Sequence, residues 1–191
     1  MAYIHPTAKV HPTAIIHDNV TIGPLAVIEA YSVIGSEAEH KSYFDKARMP
    51  VHISRGVRIR EYVTVNAGTV RPTIVEKYAI LLRGCHVGHD AIIGVNAILS
   101  CNVLVGGHSI IGDWANLGLG SIVKQKLAIG AGVMLGMGSV ATKHLEPWKV
   151  YVGSPAKYMK LNITGKERAK RQMHHMQEDI KVWEEQCKHM L

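Results

Sequence analysis

Eleven aliphatic residues stand at strict six-residue intervals: Val75, Leu81, Val87, Ile93, Leu99, Val105, Ile111, Leu117, Val123, Ile129 and Leu135. None is polar and none is out of step, so the run is an internal repeat. A helix repeats every 3.6 residues and a strand every two. A period of six alone needs a short strand and a fixed corner, repeated, which is the hexapeptide pattern of a parallel β-helix. The same rhythm runs earlier through Ile4, Val10, Ile16, Ile22, Ile28 and Ile34, and the tetrapeptide HPTA at 5–8 returns one hexad later at 11–14.

Within the hexads Gly88, Gly94, Gly106, Gly112, Gly118, Gly130 and Gly136 hold the second position. Ala79, Cys85, Ala91, Ala97, Ser109, Ala115, Ser121 and Ser139 hold the fifth. Glycine tolerates the backbone angles of tight corners, and small side chains fit where coils stack closely. The frame slips once, because the step from Ile34 to Val51 falls one position short of three hexads. The polar, charged stretch between them reads as a loop over 37–50 that leaves the prism, the kind of excursion that carries function on a regular solenoid. A shorter irregularity, TVRPT at 69–73, marks a corner or loop, because Pro72 has no N–H to give a ladder.

The repeat fades after Ala141. The expected organisation is a β-helix over 1–145 and a C-terminal segment over 146–191. Thr164 and Glu167 form a capping box. Behind them Met173, Met176, Ile180, Trp183, Cys187 and Met190 recur at three- and four-residue spacing. This predicts one amphipathic helix over about 165–190 that packs on the solenoid end or on a neighbouring subunit.

A chain of 191 residues allows one domain with a small appendage. There is no run of about 18 apolar residues to span a membrane. MAYIHPTAKV lacks the charged and apolar regions of a signal peptide. Three cysteines (Cys85, Cys101, Cys187) without a CxxC pattern fit free thiols in a reducing cytoplasm. The net charge of +7 points to an anionic partner: the phosphates of a co-substrate, an acidic carrier protein or a nucleic acid. No basic stretch has interleaved aromatics, which argues against nucleic acid.

From Ile4 to about Asn162 the chain resembles the left-handed β-helix acyltransferases, and within them the acyltransferases of lipid A synthesis that act on UDP-N-acetylglucosamine. The similarity lies in HPTAKVHPTAIIHDNVTIGP at the start, RIREYVTVNAGTV at 58–70, CHVGHDAIIG at 85–94, VGGHSIIGD at 105–113 and KQKLAIGAGVMLG at 124–136. The resemblance implies an all-β, left-handed parallel β-helix with three hexads per coil and one C-terminal α-helix. It also implies a homotrimer with active sites in the clefts between prisms. Two departures stand out. The lipid A enzymes carry a longer helical C-terminal domain, and GSPAK at 153–157 is similar to a segment of coenzyme-A-dependent acetyltransferases.

Acyl transfer from a thioester needs a base for the acceptor's proton and a donor for the developing oxyanion. Histidine titrates near neutrality, and in the HxxHD context of His86, His89 and Asp90 the resemblance makes His89 the general base. Asp90 either orients a histidine or caps a turn. Gly107 lies three hexads after His89, so its N–H either donates to the oxyanion, as the resemblance implies, or belongs to a plain corner glycine. His86 lies beside the base on the substrate side. His108 matches a family histidine that positions thioester or acceptor. Gln125, three hexads beyond Gly107, faces the acyl donor. Asn66, where the family has a histidine, and Glu61 line the acceptor side. Asp45, Lys46 and Arg48 of the 37–50 loop meet the acceptor's phosphates, unless that loop is simply a solvated surface. Arg83, Lys157 and Lys160 are assigned to the donor's phosphates on charge alone. The expected donor is acetyl-CoA or another acyl-CoA, with an acyl carrier protein thioester as the alternative, and the acceptor a nucleotide-activated sugar. No metal is expected. A γ-type carbonic anhydrase shares this solenoid, but it spaces two of its zinc histidines by four residues, and no such pair occurs in the repeat. A non-catalytic scaffold is the remaining alternative.

Overall fold

The computed structural model describes residues 1–44, 46 and 48–173. Among them, 23 short strands form three sheets of seven, nine and seven strands. Each successive hexad delivers its strand to the next sheet. In the regular part, Val75, Ile93 and Ile111 stack in one sheet, Leu81, Leu99 and Leu117 in the second, and Val87, Val105 and Val123 in the third. All these pairs are parallel, and each joins positions three hexads apart. The result is the β-helix that the rhythm predicts. We name the sheets first, second and third in that order.

The eleven aliphatics of the run point inward, and none is more than 1 % exposed. Each buried aliphatic contributes about 1.5–3 kcal/mol, and each coil protects its neighbours. Among the described residues no coil lies over the first one, and Ile4 is 43 % exposed although it holds the same position in its hexad.

The glycines have a different role from the one the pattern suggests. The corner conformation with positive φ falls at the fourth position of the hexad, held by Asp90, Asn96, Asn102, His108, Trp114 and Lys126, with φ between 55° and 62°. The second-position glycines are needed because the next coil lies directly on them. A Cβ on Gly94 would stand 2.6 Å from the Asp113 nitrogen, and one on Gly112 2.5 Å from the Ala131 nitrogen.

The frame slip also resolves differently. Ile22 pairs with Ile53, and Ile53 with Val75. The in-register core residue is therefore Ile53 rather than Val51. Val51 is also buried, because both ends of the strand Val51–Ile53 face inward. Both steps are longer than the regular coil, the first by more than two hexads and the second by less than one. Both insertions lie on the edge where the chain passes from the third sheet to the first, after the strands Val33–Ser36 and Thr64–Asn66.

Beyond the regular coils, Lys149–Val152 pairs with the strand Met134–Leu135, and Lys157–Leu161 folds back on it antiparallel. A helix follows over 163–173. Its cap is Asn162 rather than Thr164: the Gly165 N–H donates to Asn162 Oδ1 at 3.0 Å. Asn162 Nδ2 also donates to the Gly132 carbonyl at 2.9 Å, so one amide starts the helix and ties it to the solenoid. The rest of the expected helix, 174–190, lies outside the described residues.

Candidate active site

The edge with the two insertions also carries His89, Gly107 and Gln125, each in the turn between the third and first sheets of successive coils. Stacking is direct. The His108 N–H donates to the His89 carbonyl at 2.8 Å, and the Lys126 N–H to the Gly107 carbonyl at 2.9 Å.

Asp90 is fully buried. Its carboxylate accepts the N–H groups of Thr69 (3.0 Å), Val70 (2.9 Å) and Arg71 (2.8 Å) and the Thr69 hydroxyl (2.7 Å). It also accepts His89 Nδ1–H at 2.6 Å. Burial pushes the carboxyl upward, but the bonds from His89, Val70, Arg71 and Thr69 outweigh it and hold the group well below the usual carboxylate range. The ion is therefore permanent at neutral pH. It fixes His89 as the Nδ1–H tautomer, so that Nε2 carries the free lone pair.

Nε2 points at the next coil. A Cβ on Gly107 would lie 2.7 Å from it, so only glycine leaves this approach open. Gly88 does the same for Gly107: a Cβ there would stand 2.7 Å from the Gly107 nitrogen. His89 and the Gly107 backbone thus face a common space, an open groove of about 450 Å³. His86, His89, Asn66, Gly107 and Gln125 all line it. His108 stands edge-on to His89 with ring centroids 4.9 Å apart, and its Nε2 is 3.8 Å from Asp90. Burial, with the charges of His89, Arg71 and Lys126, lowers the His108 pKa against the pull of Asp90. Burial also lowers that of His86, whose Nδ1 is 2.8 Å from the Thr64 hydroxyl and whose Nε2 is 3.7 Å from Glu39.

Other expected residues lie elsewhere in the chain. Glu61 and Arg83 share a separate depression on the edge between the second and third sheets, where Glu61 pairs with Arg60 at 2.9 Å. In a solenoid the count of hexads assigns edges, and these two positions are out of phase with His89. Lys157 and Lys160 lie on the terminal strand. Arg48 bonds the His17 ring at 3.3 Å, and the Lys46 ammonium stands 5.2 Å over the Tyr43 ring. Asp45 lies outside the described residues. Cys85 is buried, and burial pushes its thiol up to about 11, which fits a packing role.

The sequence pattern passes over several groove residues. Glu39 and His40 come from the 37–50 loop, and the His40 ring lies 6.0 Å from that of His89. Leu104 and Ile122 form an apolar wall. These outward positions carry no periodic mark. Thr69 and Arg71 are visible in the sequence only as an irregularity. The donor atoms of His89, Asp90 and His108 lie within 4.8 Å of one another. A cation there would have to displace the His89–Asp90 hydrogen bond from a carboxylate that already accepts four others.

No family model matches the chain. It is 33% identical over 84 residues to an acyl-[acyl-carrier-protein]–UDP-N-acetylglucosamine O-acyltransferase of Campylobacter concisus, covering 42% of this chain and 32% of that protein. It is 32% identical over 135 residues to the protein of the same name from Paraburkholderia xenovorans, covering 53% and 51%. The chain thus matches from a third to a half of the length of these curated relatives. The crystal structure of a UDP-N-acetylglucosamine O-acyltransferase from Moraxella catarrhalis superposes with a TM-score of 0.67 at 27% identity, over 87% of this chain and 77% of that one.

Proposed function

We propose that this chain, similar in sequence and fold to the left-handed β-helix UDP-N-acetylglucosamine O-acyltransferases, transfers an acyl group from a thioester to a hydroxyl or amine of a nucleotide-activated sugar. The observation that carries this reading is the His89–Asp90 pair, with Nε2 lying close beside Gly107 of the next coil. His89 Nε2 takes the proton from the acceptor's O–H or N–H as that atom attacks the thioester carbon. The oxyanion accepts the Gly107 N–H, which donates to no other group among the described residues. The carbon–sulfur bond then breaks, and the thiolate recovers the proton from His89. Asp90 stabilises the imidazolium between the two transfers.

The lysine-bearing end of the groove, Lys124 with Gln125, suits the donor, and Asn66, His86 and His40 suit the acceptor. The names of the relatives favour an acyl carrier protein as the donor's carrier, and acetyl-CoA is the alternative. Ile110, Leu104 and Ile122 leave exposed apolar side chains on the two faces that flank this edge. Their burial between three copies would place the groove in a cleft between prisms. Among the described residues no helix is long and apolar enough to cross a membrane, and the free thiols of Cys85 and Cys101 suit the cytoplasm.

The test is thiol release from acetyl-CoA and from acyl carrier protein thioesters, against a panel of UDP- and dTDP-linked sugars and amino sugars. Turnover with one pair is expected. No release with any member would overturn the assignment.

A further inference from the structure

The short insertion after Thr64–Asn66 lies against Asp90 through every polar group that residue has. The Asp90 N–H donates to the Thr73 hydroxyl at 2.8 Å. Its carboxylate accepts three successive N–H groups and the Thr69 hydroxyl. Its carbonyl accepts Arg71 Nε–H at 2.8 Å. The other arm of the same guanidinium donates to the His108 carbonyl at 3.2 Å, one coil further on. Arg71 therefore bridges the turn that holds the base and the turn that holds the oxyanion donor. The loop turns back tightly enough that a Cβ on Gly68 would overlap the Arg71 carbonyl.

We propose that Thr69 and Arg71 are positioning residues of the acyl-transfer site: they hold Asp90 in a fixed cage, so that His89 keeps its Nε2 toward Gly107, and Arg71 sets the spacing between the two turns. This rests on the catalytic reading above. The physical case is that a regular hexad corner gives its fourth residue no such partners. A carboxylate at that position needs donors to stay buried and ionised. Successive backbone N–H groups of a turn form an anion nest of this kind. Neither residue touches the groove; both act through Asp90 and the backbone of His108.

The experiment uses the full chain and two readouts. In protein labelled with 15N-histidine, the His89 ring signals are assigned by their loss in His89→Gln. Wild type is expected to show the Nδ1–H tautomer, and Thr69→Val and Arg71→Ala are expected to populate the Nε2–H form. With whichever thioester and acceptor the wild type turns over, these variants are expected to lose about 10²-fold in kcat, the scale of a small misplacement of reacting groups, with KM within about twofold. Guanidinium added to Arg71→Ala restores a part of kcat, and Thr69→Ser retains most of it. Wild-type tautomer and kcat in both variants would overturn the proposal. So would a loss of kcat with an unchanged tautomer and no rescue by guanidinium, which is the mark of a merely structural role. If the wild type turns over no member of the panel, the acyl-transfer reading fails, and the tautomer measurement still decides whether the cage orients His89.

Discussion

The turn at His89–Asp90 and the turn at Val95–Asn96 are the same piece of backbone. Each follows a buried aliphatic and a glycine, and each puts its second residue at positive φ, 60° for Asp90 and 55° for Asn96. Both backbone N–H groups find partners, but the side chains differ. Every polar group of Asp90 is taken up by residues 69–73, whereas Asn96 Nδ2 is buried without a partner among the described residues. The repeat supplies equivalent rigid turns on three edges. What sets the His89–Asp90 turn apart is the interruption of the coil beneath it, which brings residues 69–73 against Asp90.

This comparison breaks most sharply at the base. His89→Ala is expected to lower turnover by about 10²–10⁴-fold, the usual span of general base catalysis. The matching change Val95→Ala should leave steady-state thiol release near wild type. Gly107→Ala comes next. Its Cβ would press on His89 Nε2, and displacing the oxyanion donor costs about 10²–10³-fold in kcat.

Stability separates regions along the solenoid in the same way. Leu99→Ala, in a fully enclosed coil, should cost about 2–5 kcal/mol in urea unfolding. Ile4→Ala, at the uncovered end, should cost roughly half of that or less, since Ile4 is already 43 % exposed. Asn162→Ala, which removes the helix cap and its tie to Gly132, should cost about 1 kcal/mol.

Acid sharpens the contrast between the two turns. Burial lowers the native pKa of His86 and His108, so below about pH 6.5 the unfolded chain takes up protons first and stability falls. Asp90 is held below its unfolded value. Its contribution is complete above about pH 4 and is lost as the pH drops further toward the native pKa. Melting temperatures followed from pH 8 to pH 3 should fall in these two stages, and Asp90→Asn should flatten the lower one while, by removing its upward pull on His108, it deepens the upper one.

Much of the architecture was legible because the inward-facing position of a solenoid admits one chemistry and recurs at a fixed step. Val75 to Leu135 therefore announce the hexad, and the three hexads per coil that the resemblance implies put His89, Gly107 and Gln125 on one edge. The same regularity misled where it was interrupted. Val51 stood in for Ile53 because both ends of a three-residue strand face inward. The second-position glycines suggest a corner conformation that Asp90 and His108 adopt instead, because the close approach of the next coil has no signature in a single hexad.

The sequence by itself determined the inward face and the hexad step, since burial is periodic and periodicity is readable in one dimension; the resemblance added the three hexads of a coil, and with them the edge that carries the candidate site. Only the tertiary structure decided which side chains meet on the outside of that edge. Thr69 and Arg71 reach Asp90, and His40 reaches His89, from insertions whose lengths obey no repeat. Hydrogen bonds across coils depend on where a loop folds back, and the order of residues alone does not encode that distance.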